Sequence, residues 1–364
     1  MTSDTVSSAA QKIPVRNAWY LLLYAWDMVQ WRGKWMGSAE PGPDLLGLLA
    51  RVLVDSTKGL IRNHLGRAHT QCRAVVSGIR GRIDFGESLR RLSFEEAKTY
   101  CRFPELTINT PKNRIIRSTL NRLRTDSRVF HARPEETAKL RHDIRNVVRA
   151  MEGVELAQIA PSAFSRLQLG RNDREYALPI AICTLIRRLQ MPTEHSGDDM
   201  FTTLLRDEIL FHDLFERFVR NFYSIRLKHH EVKRETLTWH DELGSERVPT
   251  MRTDITIIGK APSARRLIID TKYSIATLVA TPHGGLKFKS ENLYQIYAYL
   301  RTQEHLSHAH RVAEGMLLYP VTSEHVDETM SVQGHRIRVA TVDLAAEWSE
   351  IETRLLGLVD AEVD

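Results

Sequence analysis

The chain has 364 residues and a formal net charge of +6, with 42% hydrophobic and 26% charged side chains. That length and apolar content suit two packed domains, and no apolar run approaches the span of a membrane helix. Cys72, Cys101 and Cys183 stand far apart without a Cys-x-x-Cys pair, which argues against a zinc knuckle or a disulfide framework and fits a reducing cytoplasm.

Charge divides unevenly. Residues 1–160 hold 26 Lys/Arg against 16 Asp/Glu, and the remainder holds 25 against 29. A basic first half suggests a polyanion or an acidic protein surface as partner, although solvated helix faces give the same count. The Ser/Thr-rich start, Met1 to Ala10, lacks the charged head and apolar core of a secretory signal.

In chain order, Asn17–Asp27 reads as an apolar helix with Trp19, Tyr20, Tyr24 and Trp26 facing a core. Trp31, Trp35 and a Gly/Pro break (Gly37–Pro43) follow, then a helix to about Arg62 that Asp44 is placed to cap. Gly66–Phe85 alternates and turns at Ser77-Gly78, which predicts a hairpin carrying Arg67, Arg73, Arg80 and Arg82. Pro111–Arg124 reads as a helix with Arg114, Arg117 and Arg124 along one side, and Pro134–Met151 as another. The stretch Gly153–Asp173 breaks the pattern, and the domain boundary is placed there, between 160 and 161.

Two helices come next, Tyr176–Gln190 and Phe201–Leu227, followed by strands at Glu231–Trp239, Arg252–Ile258 and Leu267–Lys272. A helix over Glu291–Thr302 with Ser290 as N-cap, strands at Gly315–Tyr319 and His335–Val342 and a helix over Leu344–Leu356 complete the chain. The order helix, three strands, helix, strand is the core layout of a restriction-nuclease fold. The overall class is α/β (α+β in its broad make-up): residues 161–364 form a mixed central sheet flanked by helices. Residues 1–160 form a largely helical domain carrying a β-hairpin.

The chemistry concentrates in the three strands. In Asp270-Thr-Lys272 the acid and the base are spaced by two and leave the strand on one face. Asp254 begins the neighbouring strand, so a hairpin brings two carboxylates and one ammonium to a sheet edge. Two carboxylates suit a hard divalent cation such as Mg²⁺, and the lysine suits charge developing on a phosphate. Asp-x-Lys alone is common on solvated strand ends, so the flanking pattern carries the weight. On the next helix Gln295 and Tyr299 are four apart and share a face, and Lys287 and Lys289 in the preceding loop can face DNA. Glu216, in the helix before the strands, can complete the metal shell, with Asp207, Glu208 and Asp213 as competitors. No phosphate-cradling P-loop, zinc-ligand histidine spacing or Gly-x-Ser-x-Gly elbow is present.

Several separated blocks now align in order: Ile13-Pro-Val-Arg-Asn17, Leu23-Tyr-Ala-Trp26, Gly78-Ile-Arg-Gly-Arg-Ile-Asp-Phe85 and Asn113-Arg-Ile-Ile-Arg-Ser-Thr-Leu120. Thr253-Asp-Ile-Thr-Ile257, Asp270-Thr-Lys-Tyr273, Asn292-Leu-Tyr-Gln295 and Leu317-Leu-Tyr-Pro320 continue the series to the Trp348 region. Over nearly its whole length the chain resembles the McrC family, nuclease subunits of the McrBC modified-cytosine restriction system within the PD-(D/E)xK superfamily. The resemblance implies a Mg²⁺-dependent endonuclease using Asp254, Asp270 and Lys272 on duplex DNA containing 5-methylcytosine. It also implies a hexameric AAA+ GTPase partner, McrB-like, which binds the GTP and receives a finger from the first domain. The 66–85 hairpin and the Trp31–Pro43 loop are the finger candidates, and double-strand cleavage implies dimerisation of complexes. The general nuclease pattern has Pro before the first acid, where this chain has Thr253. Two other readings are a non-catalytic activator of the motor and a stand-alone nuclease.

Overall fold

A computed structural model describes residues 13–31, 45–130, 134–170, 173–189, 207–239, 247–259, 265–273, 278–280, 286–321 and 324–360. The expected Gly37–Pro43 break, the Asp44 cap and the start of the Phe201–Leu227 helix lie outside these residues. So does nearly all of the Trp31–Pro43 finger candidate.

The chain divides differently from the expected split at 160. One compact unit spans residues 42–197, and the other joins residues 1–41 to 198–364. The first helix, α1 (Val15–Ala25), belongs to the second unit because its polar and aromatic side chains find partners there. Buried Asn17 donates through Nδ2 to the carbonyls of Leu344 and Ala346, at 2.9 and 2.8 Å. Tyr24 stacks on Trp348 with ring centroids 5.7 Å apart, and Asn221 donates to the Tyr24 carbonyl.

The 42–197 unit contains α2 (Leu45–Arg62), β1 (Ala68–Ser77), β2 (Arg82–Ile83), α3 (Phe85–Arg90), β3 (Lys98–Thr107), α4 (Pro111–Leu123), α5 (Pro134–Ala150), α6 (Pro161–Ser165) and α7 (Arg174–Leu189). Leu49, Leu53, Ile115, Ile116, Ile144 and Ile182 are among its buried core residues. The Thr110 hydroxyl accepts from Asn113 N and Pro111 occupies the first turn, and these fix the start of α4 at the expected Pro111. The turn at Ser77-Gly78 is present, with Gly78 at φ +84°. The expected hairpin partner is not. β1 pairs along its whole length with β3, Ala68 opposite Thr107 through Ser77 opposite Lys98, and β2 adds only two residues to the far side of β3. The long ladder pairs more backbone donors and acceptors than a two-residue strand can satisfy.

The other unit is built on six strands in the order β12-β13-β11-β8-β7-β4. It follows α8 (Glu208–Arg226) with β4 (His230–Lys233), β5 (Thr236–Leu237), β6 (Met251–Arg252), β7 (Ile255–Gly259) and β8 (Arg266–Thr271). Then come β9 (Leu278–Ala280), β10 (Leu286–Phe288), α9 (Ser290–Arg301), α10 (His308–Arg311), β11 (Glu314–Pro320), β12 (Asp327–Val332), β13 (His335–Val342) and α11 (Trp348–Asp360). The expected Glu231–Trp239 strand is split: β4 joins the main sheet against β7, while β5 pairs with β6 in a separate ribbon. β7 and β8 are antiparallel and β8 and β11 parallel, with α9 in the crossover between them. This is the mixed sheet that the element order implied, and every residue of β8 is buried. α9 packs through Ile296, Tyr299 and Leu300 against Ile268, Leu317 and Tyr319. A Cβ on Gly315 would stand 2.8 Å from the Ile296 side chain, so glycine there sets how closely the helix approaches the sheet. The N-cap of α9 is Lys289 rather than Ser290, without a side-chain capping bond.

Candidate active site

Strand register decides what meets at the site. Ile255 opposes Ile269 across the β7–β8 pair, which sets Asp254, just before β7, beside Asp270, near the end of β8. Asp254 is held in place. Its Oδ2 accepts from both the backbone N and the hydroxyl of Thr271, each at 2.8 Å, and its Oδ1 has no hydrogen-bond partner among the described residues. Asp270 is the reverse case. Its side chain is 1% exposed, and neither carboxylate oxygen accepts a well-directed hydrogen bond. Lys272 Nζ lies 2.7 Å from Asp270 Oδ2, an ion pair made by the two-residue spacing on one strand face. Burial first, and the Asp254 charge second, push the Asp270 carboxyl up to about 6, against the pull of Lys272.

The lysine is aimed by a chain of hydrogen bonds. Tyr299 OH donates to the Arg252 carbonyl at 3.0 Å, so its oxygen is left to accept from Gln295 Nε2 at 2.6 Å. That fixes the amide with Oε1 toward Lys272 Nζ, 2.8 Å away. Burial raises the Tyr299 phenol above its usual range, which keeps it a neutral donor. Asn292, one turn earlier on α9, donates to Tyr319 OH on β11 and ties the helix to the sheet. From α8, His212 Nε2 lies 2.7 Å from the Thr271 carbonyl and so braces the residue that clamps Asp254.

The structure thus gathers Asp254, Asp270, Lys272, Gln295 and Tyr299. Glu216 is buried and near enough to Asp254 for that charge to raise it, behind burial as the larger cause, while Arg234 and Arg220 pull it down. Its Oε1 is taken by Arg220, at 2.5 Å, and by Arg234. Of its competitors, Asp207 caps α8 and Asp213 pairs with Arg217. Lys287 is exposed on the small β9–β10 ribbon and Lys289 stands at the start of α9.

A divalent cation fits the two acids. Asp270 presents buried anionic oxygens without hydrogen bonds, and Asp254 has one oxygen clamped and the other open. Among the described residues no group of three His, Cys, Asp or Glu converges on a metal position, so two carboxylates are the protein's acidic share and water or backbone oxygen would supply the rest. Thr271 and His212 were not singled out by sequence reasoning. The available signal was a hydroxyl residue inside the Asp-x-Lys triplet, opposite an acid on the neighbouring strand.

A family model described as McrBC 5-methylcytosine restriction system component matches residues 36–320. A relative from Escherichia coli K12, named Type IV methyl-directed restriction enzyme EcoKMcrBC, is 32% identical over 352 residues, covering 96% of this chain and 97% of the relative. Among solved structures, a chain of the Thermococcus gammatolerans half-complex, refined from a tetradecameric assembly of McrB AAA+ hexamers with bound McrC, superposes with TM-score 0.53. It shares 15% identity and covers 96% of this chain and 76% of that one. A second Thermococcus gammatolerans McrBC complex gives TM-score 0.40 at 17% identity, over 60% of each chain.

Proposed function

The chain belongs to the family of McrBC 5-methylcytosine restriction-system components, and from that premise we propose that it is the DNA-cleaving subunit, hydrolysing phosphodiester bonds with Mg²⁺ held by Asp254 and Asp270. The observation that carries this reading is a fully buried carboxylate without hydrogen bonds, set beside a clamped second carboxylate and an ammonium. Burying a carboxylate that has one ammonium beside it and no hydrogen bonds is costly, and a divalent cation would offset the cost. When bound, Mg²⁺ polarises a phosphoryl oxygen and lowers the pKa of a water molecule. Thr271 keeps the Asp254 carboxylate from rotating, so its other oxygen would be available to hold the cation. Lys272 donates one N–H to Gln295 and pairs by charge with Asp270, which leaves an N–H to donate to the scissile phosphate as negative charge builds there. Glu216 acts on this reading by neutralising and orienting Arg220 and Arg234 beside the acids, and it enters the metal shell only by releasing them.

The absence of a P-loop in the sequence supports a partner that supplies nucleotide hydrolysis, an AAA+ GTPase of the McrB kind. The β1–β3 ribbon supports docking through the 42–197 unit. β1 is mostly exposed and β3 partly so, and Val75, Ile79, Phe85 and Leu89 present apolar side chains near the ribbon's end.

The test is cleavage of methylated and unmethylated plasmid by the chain with and without the GTPase, in Mg²⁺. Cleavage is expected only with the partner and the methylated plasmid. Asp270→Ala should abolish cleavage while leaving GTPase stimulation intact. Cleavage that survives replacement of Asp270 or Lys272 would remove the catalytic assignment.

A further inference from the structure

The 42–197 unit carries a cavity of about 810 Å³ between α4, the loop over 156–160, α6 and α7. It lies in the compact unit that does not contain Asp254 and Asp270. Arg122 of α4 and Arg187 of α7 both line it, and no Asp or Glu does. Several other cations of this unit are paired, Arg51 with Glu136, Arg102 with Asp84, Lys112 with Asp173 and Arg114 with Glu155. Arg122 and Arg187 have no ion-pair partner among the described residues. Arg187 is half-buried in the cavity wall, a partly desolvated setting that strengthens a charge-assisted bond to an oxyanion. Asn121 and Gln158 line the same cavity with side-chain amides that make no hydrogen bond among the described residues. Phe164 and Ile159 contribute apolar surface.

Two unpaired guanidinium groups, two unused amides and a half-buried aromatic ring match the parts of a nucleotide. We infer that this cavity binds a nucleoside phosphate, with the phosphate on Arg122 and Arg187 and the base against Phe164 and Ile159, its edge met by Asn121 and Gln158. The volume is in the range of small-molecule sites, and planar guanidinium forks suit phosphate oxygens. Stacking of a base on an aromatic side chain tolerates any base, and the amides supply discrimination. The nucleotide can be free, or it can be the terminal unit of a nucleic-acid strand, and the recognition chemistry is shared.

The experiment uses the full chain in EDTA, so that the nuclease site holds no cation. Binding of fluorescent GMP and GTP analogues, and of a short 5′-phosphorylated oligonucleotide, is measured by anisotropy for wild type, Arg122→Ala, Arg187→Met and Asp270→Asn. Saturable binding of at least one probe is expected, weakened about tenfold or more in each arginine variant, as loss of a charge-assisted contact implies, and unchanged in Asp270→Asn. Binding of the free nucleotides identifies a small-molecule site, and binding of the oligonucleotide alone identifies a strand end. Unfolding curves matching wild type show that the arginine variants are folded, and Arg122→Ala tests the site should Arg187→Met fail to fold. The inference is overturned if neither probe binds, if folded arginine variants bind as well as wild type, or if Asp270→Asn abolishes binding, which would place the probe at the nuclease site.

Discussion

Replacing Asp270 by Asn should stabilise the metal-free protein at neutral pH. The carboxyl is buried, and its folded-state value of about 6 stands above the ordinary 3.8. Sign follows from proton counts. Between those two values the folded state binds more protons than the unfolded one, so the contribution is fully present below 3.8 and is lost as pH rises through about 6. Above pH 7 the ionised acid therefore works against folding by roughly two pKa units, or about 3 kcal/mol at ~1.4 kcal/mol per unit. The group is too buried for solvent to discount that figure. Asparagine is nearly isosteric and carries no charge to desolvate. In EDTA at pH 7.5 its melting temperature should exceed wild type by about 5–10 °C, and the difference should shrink toward zero near pH 4. Adding Mg²⁺ or Mn²⁺ should raise the wild-type melting temperature and leave Asp270→Asn almost unmoved. Differential scanning calorimetry across pH, with and without metal, makes the measurement. A variant less stable than wild type at pH 7.5 in EDTA, or a pH-independent difference, would refute the account of a frustrated buried acid that waits for a cation.

Thr271→Val removes the hydroxyl that Asp254 accepts but keeps the shape, and should weaken Mn²⁺ binding about 10–100-fold by calorimetric titration, with Thr271→Ser close to wild type. Equal affinities for Val and Ser would show that the hydroxyl positions nothing. Tyr299→Phe frees the Gln295 amide to flip and should slow cleavage about 2–10-fold with metal affinity unchanged, in line with one hydrogen bond of ~0.5–1.5 kcal/mol. A fall in metal affinity instead would tie the tyrosine to the acids rather than to Lys272. Glu216→Gln should leave Mn²⁺ affinity within about twofold while lowering thermal stability, since two arginines lose their counter-charge at a cost of ~3–5 kcal/mol at most. Tenfold weaker metal binding there would make Glu216 a ligand. Asn17→Ala strands one buried and one part-buried carbonyl and should cost about 2–4 kcal/mol by urea unfolding, and an unchanged midpoint would deny α1 its place in the 198–364 unit.

Local signals in the sequence reached far in this chain. Spacing by two placed Asp270 and Lys272 on one strand face, spacing by four placed Gln295 and Tyr299 on one helix face, and the helix expected from Pro111 is α4. The recurrent blocks were legible as a family signature before their roles were. Asn113, which the sequence offers only as part of a block, proves to be a structural hub: its Nδ2 donates to the carbonyls of Gly66 and Ile108, and its Oδ1 accepts from Tyr176 OH. Asn17 and Asn292 serve in the same way.

What the sequence could not fix were choices between distant partners. The 66–85 segment signals a turn correctly, yet β1 pairs with β3, because a ten-residue ladder outcompetes a two-residue one and nothing local measures ladder length. Gly81 records that choice, at φ +71° with no room for a Cβ against the Arg102 carbonyl. α1 joins residues more than three hundred positions away through Asn17, which no periodicity reports. At the site, the Thr271 clamp on Asp254 and the arginines on Glu216 depend on strand register and on the approach of α8. Periodicity tells each residue which face it occupies, because backbone geometry repeats along a single element. Which side chain waits across that face is settled by packing between elements, and only the tertiary structure holds it.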